Sequence, residues 1–418
     1  VKDNRAKAVN ISFAMRNGSL ENLMDLGVTP RFTASILNKG TVSKTRQEIE
    51  DKLSALKSSI YFRGSNGRVF ANVSTTEDNL MECIALMTDM LKNPRFDETE
   101  LEKLKEEELA NIESYKSEPG FVASQRINQI NQHYPKGHPL YSMSVEEQID
   151  AINSLSVTKL KDYHKKFYGI STNSSLIVIG NFDEEAVKNY FEKEYATFKS
   201  DYPFTAIPGP YKPTKPANEN LKTPDKKNAY TTGELSFECN QYGEDYPALE
   251  IAGQIFGGGF LNSRLANRLR QQDGVSYGAG GGVGIDSEKD FKNSSMYIYA
   301  IYAPENHGKV QLGFKEEIDR FIKDGITQQE LEDAVKGWVE SESVSRAKDN
   351  ELSSLINNNI YYKRDMNFQK QIEEKIKKLT VEDVNKAIKK YFKPLEQWTV
   401  VNAGDFENML DLDVKIKN

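Results

Sequence analysis

The sequence predicts an α+β chain built from two homologous α/β half-modules, each a mainly antiparallel sheet with helices packed on one face. Three observations carry that expectation. Motifs recur in order: Leu155–Leu160 with Lys165–Tyr168 is echoed by Leu379–Val384 with Lys389–Phe392, and each pair precedes an apolar run ending in a turn, Leu176–Phe182 and Trp398–Phe406. Phe96–Leu101 matches Ile326–Leu331 in the same way, so the offset between copies drifts only from 230 to 224 residues. Second, six of the 14 prolines fall between Pro203 and Pro224, a density that disfavours helix and central strand and marks an extended linker. Third, strands come in groups with helices gathered after them, the signature of helices laid on an antiparallel sheet. The expected division is residues 1–200, a proline-rich linker at 201–226, and residues 227–418.

The elements follow in order. Val9–Met15 alternates like a half-buried strand. Thr45 and Glu48 form a capping box, and Ile49, Leu53 and Leu56 make one apolar stripe behind it. Ile60–Phe62 and Val69–Val73 flank Asn66-Gly67, a strong hairpin signal. Leu101, Leu104 and Ile112 give the next helix a buried side, with Glu and Lys facing water. In the second half Leu235–Cys239 reads as a strand, and Tyr246–Phe256 as a helix with Pro247 tolerated in its first turn. Met296–Tyr302 is another strand, and long helices follow from Gly308.

Composition narrows the function. A chain of 418 residues with 55 Lys+Arg against 62 Asp+Glu is mildly acidic, without the basic footprint of a nucleic-acid binder. No apolar run is long enough to span a bilayer. Two cysteines, Cys83 and Cys239, one in each half, leave no disulfide framework and no thiolate zinc site, and do not fix the redox compartment. The start at Val1, followed so soon by a strand, suggests a piece of a longer polypeptide.

Little familiar chemistry is present. His133, His138, His164 and His307 are the four histidines, and none is paired at metal-ligand spacing with a supporting carboxylate. His133 and His138 flank a loop, His164 lies among lysines as an exposed helix residue would, and His307 follows a turn. Gly257, Gly258 and Gly259 precede a helix without the Gly-Lys-Ser/Thr of a phosphate loop, and the glycines from Gly278 to Gly284 fit no dinucleotide fingerprint. Bare backbone of this kind serves close approach or a flexible sheet edge, and a peptide laid against it would use the same property.

Between these clusters runs Asn262–Tyr277. Ser263 caps a short helix, Leu265 and Leu269 anchor it, Gly274 ends it, and Tyr277 opens a strand. Physics alone gives Arg270 a stabilising place near the helix C-terminus and makes Tyr277 an ordinary half-buried aromatic.

Taken together these segments resemble the pitrilysin/insulinase-type zinc peptidases, the inverzincins, which include the mitochondrial processing peptidases. The residues that carry the likeness are Asn38–Thr41 before the capping-box helix, Gly137–Leu140, Gly180–Asp183 after a strand, and Gly257 through Arg270 to Tyr277. The resemblance runs over nearly the whole chain and implies the LuxS/processing-peptidase-like metallopeptidase fold, with two modules closing around a peptide. One module of such enzymes carries His-x-x-Glu-His and a distant Glu that hold zinc. That motif would fall on Arg31-Phe32-Thr33-Ala34-Ser35, where no imidazole and no glutamate stands. Glu106, Glu107 and Glu108 lie in the distant-carboxylate region and, without the motif, read as a solvated helix face.

The resemblance therefore implies a chain that binds no metal itself, with zinc in a partner module. It also implies that Arg270 and Tyr277, seven residues apart, are the pair that the non-metal module presents to the peptide, with Gly257, Gly258 and Gly259 beside the substrate. The expected function is a non-catalytic, substrate-binding module of a two-module zinc endopeptidase, inert alone and active on unstructured peptides beside a His-x-x-Glu-His module fused upstream or separately encoded. The alternatives are a scaffolding subunit of the same fold and a free-standing peptide-binding module. Cleavage specificity stays open, and a bacterial periplasmic or cell-envelope location is only what the family suggests.

Overall fold

The structure, a computed structural model, describes residues 1, 7–259 and 262–406. Its first half runs β1 (Ala8–Arg16), α1 (Thr29–Ile36), α2 (Arg46–Ala55), β2 (Ser59–Ser65), β3 (Arg68–Thr76), α3 (Leu80–Lys92), α4 (Glu98–Tyr115), α5 (Pro119–Ile130), α6 (Val145–Asn153), α7 (Val157–Phe167), β4 (Ser175–Ile179) and α8 (Glu184–Tyr195). The second half runs β5 (Ala217–Lys222), β6 (Ala229–Glu238), α9 (Tyr246–Gly253), α10 (Arg264–Ala266), β7 (Ser276–Gly284), β8 (Asn293–Tyr302), α11 (His307–Asp324), α12 (Gln328–Arg346), α13 (Asp349–Tyr361), α14 (Met366–Ile376), α15 (Val381–Tyr391) and β9 (Thr399–Gly404).

The repeat is visible in the sheets. One has the order β2-β3-β1-β4 and the other β5-β9-β6-β8-β7, so β1 to β4 correspond to β6 to β9 and β5 is an addition at one edge. Every pairing between these strands is antiparallel except β5 with β9. That added strand lies within the stretch expected as linker; its edge position is what a proline-rich neighbourhood tolerates. The Asn66-Gly67 hairpin forms as expected, with Gly67 at φ +67° and Ser65 paired to Arg68.

Alternation along each strand sorts its side chains by face. Val9, Ile11, Phe13 and Met15 of β1 join Ile60, Phe62, Val69, Ala71 and Val73 in one core with α3. In the second sheet Leu235, Phe237, Met296, Ile298 and Val400 pack with α9, α11 and α15. The Thr45–Glu48 capping box is present, as are boxes at Ser144–Glu147 and Thr380–Asp383. Those boxes fix where the helices begin.

Beyond the helical layer, each sheet carries one helix on its other face. In the first compact unit (residues 1–112, 134–207 and 345–364) Asn10 donates to Asp349, and the buried Arg16 donates to Asn357, so α13 lies against β1 and β4. In the second (113–133, 208–344 and 365–418) Ala123 and Ile127 of α5 pack on Val401 and Ala403. Each half of the sequence thus lends one helix to the other half's sheet, which the linear division 1–200, 201–226 and 227–418 does not contain. No described helix is long and apolar enough to cross a membrane.

Two histidines differ from expectation. His164 is packed rather than exposed: its Nε2 lies 2.8 Å from the Leu91 carbonyl between Phe96 and Tyr168, and burial pushes its pKa down. His307 opens α11 and is buried, with Nδ1 3.0 Å from the Tyr302 hydroxyl and Phe406 against its ring. Both serve packing, which isolated histidines in a polar stretch do not announce.

Candidate functional site

The segment that sequence singled out takes shape from its glycines and arginines. After α9 the helix widens into a π-helical turn, Gln254–Gly258, and after α10 a second one spans Asn267–Gln272. Such turns insert a residue and shift the faces that follow. A Cβ on Gly257 would come within 2.4 Å of the Gly281 backbone nitrogen, and one on Gly281 within 2.4 Å of the Tyr297 carbonyl oxygen. Only glycine allows this turn, β7 and β8 to stack so closely. Gly258 and Gly259 continue the turn; Phe260 and Leu261 lie outside the described residues. The second glycine cluster is β7 itself, at the edge of its sheet, so one side of the strand has no neighbouring strand among the described residues.

Three arginines follow, with three different fates. Arg264 forks onto Glu330 at 2.7 and 2.9 Å, donates to the Gly325 carbonyl at 2.7 Å and covers the Phe321 ring. Burial pushes the Glu330 carboxyl up, but Arg264 and the Thr327 amide outweigh it and hold the group below its ordinary range. Arg268 pairs with Glu316 at 2.6 Å and Asp273 at 3.2 Å. Arg270, two residues on, is exposed and has no hydrogen bond or ion pair with any described residue. Ser263 caps the short helix through the Ala266 amide, and Gly274 takes φ +63° to end the segment. Tyr277 then stands 66% exposed at the start of β7, also without a hydrogen-bond partner among the described residues, rather than half-buried. Tyr277 thus opens the edge strand β7, Gly257 packs against that strand at Gly281, and Arg270 lies in the π-helical turn that leads into it. Arg264 and Arg268 were legible as a pair: four apart, they share a helix face from which Arg270 turns away.

The region of the first half where the resemblance would put metal ligands has a different chemistry. Arg31 extends from α1 to donate to Glu108 of α4 at 2.7 Å. Ala34 is buried, and the Ser35 hydroxyl donates back to the Arg31 carbonyl at 3.1 Å. Lys39 lies 3.9 Å from Glu107. A guanidinium, a methyl group and a hydroxyl engaged with backbone do not fit a zinc ion, which takes imidazole, thiolate or carboxylate. Glu108 is therefore not simply part of a solvated face, as its neighbours suggested; it is the counter-charge of Arg31.

Among known proteins, the model of the insulinase family (peptidase family M16) matches residues 1–144, and that of the peptidase M16 inactive domain matches residues 154–337. The chain is 23% identical over 392 residues to a non-peptidase homolog, YmxG, of Helicobacter pylori, covering 91% of this chain and 85% of that one. It is 24% identical over 337 residues to an uncharacterized zinc protease of Rickettsia bellii, covering 78% of this chain and 76% of the relative. Among solved structures, a peptidase M16 inactive domain from Pseudomonas fluorescens superposes with a TM-score of 0.81 at 20% identity, over 97% of this chain and 94% of that one. The periplasmic protease PqqL of Escherichia coli superposes at 0.72 and 16% identity, over 96% of this chain but 43% of its own length. With both family models matched in order and the same fold throughout, the chain belongs to the pitrilysin/insulinase family of peptidases, M16, as a member without the family's metal-binding motif.

Proposed function

We propose that this chain is the non-catalytic, peptide-binding module of a two-module zinc endopeptidase, and that Arg270 and Tyr277 act on peptide held at the metal centre of a His-x-x-Glu-His partner module. The observation that carries this reading is the contrast within one short segment. Arg264 and Arg268 are spent in ion pairs, whereas Arg270 and Tyr277 are held out to solvent with no partner among the described residues. An unpaired guanidinium and phenol have hydrogen-bonding capacity to offer a ligand.

The chemistry follows from those groups. The partner's metal supplies the activated water. The edge of β7 offers unpaired backbone amides and carbonyls, against which an extended peptide adds as a strand. The Tyr277 hydroxyl donates toward the oxygen of the scissile carbonyl as charge develops there, and the Arg270 guanidinium forks onto neighbouring peptide carbonyls. Gly257 to Gly259 leave the approach clear of side chains. This chain alone is inert.

The test is reconstitution with a His-x-x-Glu-His module and a quenched-fluorescence peptide. Cleavage appears only with both modules present, and Arg270→Ala or Tyr277→Phe lowers kcat by about 10²–10³-fold. Full activity in both variants would remove the assigned roles. One observation favours a second reading, a scaffold without peptidase role: the Helicobacter relative is named a non-peptidase homolog. A chain that never associates with a metal-motif module, yet purifies in another assembly, would decide for the scaffold.

A further inference from the structure

Tyr277 owes its exposure to an irregularity in the sheet. Ser276 pairs with Tyr302 and Gly278 with Ile301, so two residues of β7 advance against one of β8, and Tyr277 is the extra residue of a β-bulge. A bulge leaves backbone groups without their ladder partners, and they must find others. Here the Ser276 side chain supplies them. Its Oγ lies 2.8 Å from the Gly278 carbonyl oxygen, 2.8 Å from the Ile301 carbonyl oxygen and 3.2 Å from the Gly278 amide nitrogen. The single hydroxyl proton goes to one of the two carbonyls at a time, while an oxygen lone pair accepts the Gly278 N–H. Ser276 is 8% exposed, so water does not compete freely for these bonds.

The first half shows what the strand does without this clasp. There β2 runs against β3 in unbroken register from Ser59–Ser74 to Ser65–Arg68. The serine just before it, Ser58, bonds to the Leu56 carbonyl and across to the Thr75 hydroxyl of β3, with no bulge between the strands. A serine at the strand entrance is therefore compatible with a straight edge, and among the described strands that bulge is seen in the second half.

We infer that Ser276 is a positioning residue for Tyr277: its hydroxyl clasps the bulge that turns the phenol out of the sheet edge. This rests on the reading that Tyr277 acts on bound peptide, and the two are separable by experiment. The full chain carrying 3-fluorotyrosine at position 277 is followed by ¹⁹F NMR, together with amide exchange at Gly278, in Ser276→Ala, Ser276→Cys and Ser276→Thr. Cysteine preserves volume while removing the strong hydrogen bond, so it also serves should the alanine variant fold poorly. Exchange at Gly278 speeds up by about tenfold in Ser276→Ala and Ser276→Cys. The ¹⁹F resonance shifts or broadens in both, and Ser276→Thr returns both signals to the parent values. With the partner module, Ser276→Ala lowers kcat by about ten- to a hundredfold with KM little changed. In a Tyr277→Phe background it then adds nothing further. An unchanged resonance and unchanged exchange would sink the positioning role. Loosened exchange with full cleavage in Tyr277→Phe would instead leave the clasp standing and remove the reading of Tyr277.

Discussion

The two halves lay out their strands in the same order, yet each spends its arginines differently. In the first, Arg31, where the resemblance would put a metal ligand, is tied to Glu108, with 45% of its side chain exposed. In the second, Arg264 is 13% exposed and binds Glu330 and a backbone carbonyl, while Arg270 has no partner among the described residues. The same contrast runs through the edge strands: β2 is straight and β7 is bulged, glycine-rich and preceded by two π-helical turns. One scaffold, used twice, keeps its core repeated; β5 is added at one edge of the second sheet, and the bulge and its glycines lie at the other. Irregular backbone has to be held by something, and here Arg264, Ser276 and Gly257 hold it.

That view predicts the largest stability effect at Arg264. Arg264→Ala removes the fork on Glu330 and leaves Glu317, 2% exposed and 3.8 Å from the guanidinium, with Arg320 as its remaining charge partner. Breaking a largely buried pair on one side costs about 3 kcal/mol or more. Urea unfolding should show an unchanged slope and a midpoint lowered by that free energy divided by the slope. A loss below about 1 kcal/mol would mean that the segment carrying Arg270 is held by something else.

Much of this was legible in the chain. The capping box at Thr45, the Asn66-Gly67 hairpin and the repeat itself rest on local patterns that tertiary packing does not override. Three features were not. The exchange of α5 and α13 escaped because both helices are polar on most faces, and nothing local says which sheet a helix with few apolar residues will choose. The pairing of Arg31 with Glu108 joins residues 77 apart, and periodicity carries no signal over such a span. The bulge at Tyr277 was hidden because Ser-Tyr-Gly is also what a regular strand entrance looks like; only the register against β8 exposes the extra residue.

Two carboxylates of the second unit sharpen the comparison through pH. Glu330 is held below its ordinary pKa, so its contribution is present above the unfolded value, about 4.3, and is lost as pH falls through the folded one. Glu250 behaves oppositely. Burial pushes its pKa up, with the nearby Glu342 adding to the rise against hydrogen bonds from Trp338 and Gln254. Its folded state favours the proton, so its contribution is present below the unfolded pKa and is lost as pH rises through the raised value. Glu250→Gln should therefore raise Tm at neutral pH, and the gain should vanish near pH 4, where both proteins carry a neutral group. Glu330→Gln should lower Tm at neutral pH, with a difference that shrinks as the pH drops below about 4. Thermal melts across pH 3–8 check both signs at once, and a Glu250→Gln variant less stable than the parent at pH 7 would overturn the assignment.

The smallest effect is expected where a catalytic module would be most sensitive. Arg31→Ala removes an ion pair between side chains that are 45% and 23% exposed, and solvent-screened pairs of this kind contribute under about 1 kcal/mol. Salt should weaken even that difference, since both side chains are partly exposed and are screened as ionic strength rises. With Arg270 and Tyr277 intact, the same variant should keep its full activity beside a partner module. A large loss of cleavage with stability unchanged would place Arg31 in contact with peptide and return chemistry to the first half. A negligible effect on both leaves the pair as a local tie between α1 and α4, and puts whatever this chain contributes to a reaction on the bulged edge of its second sheet.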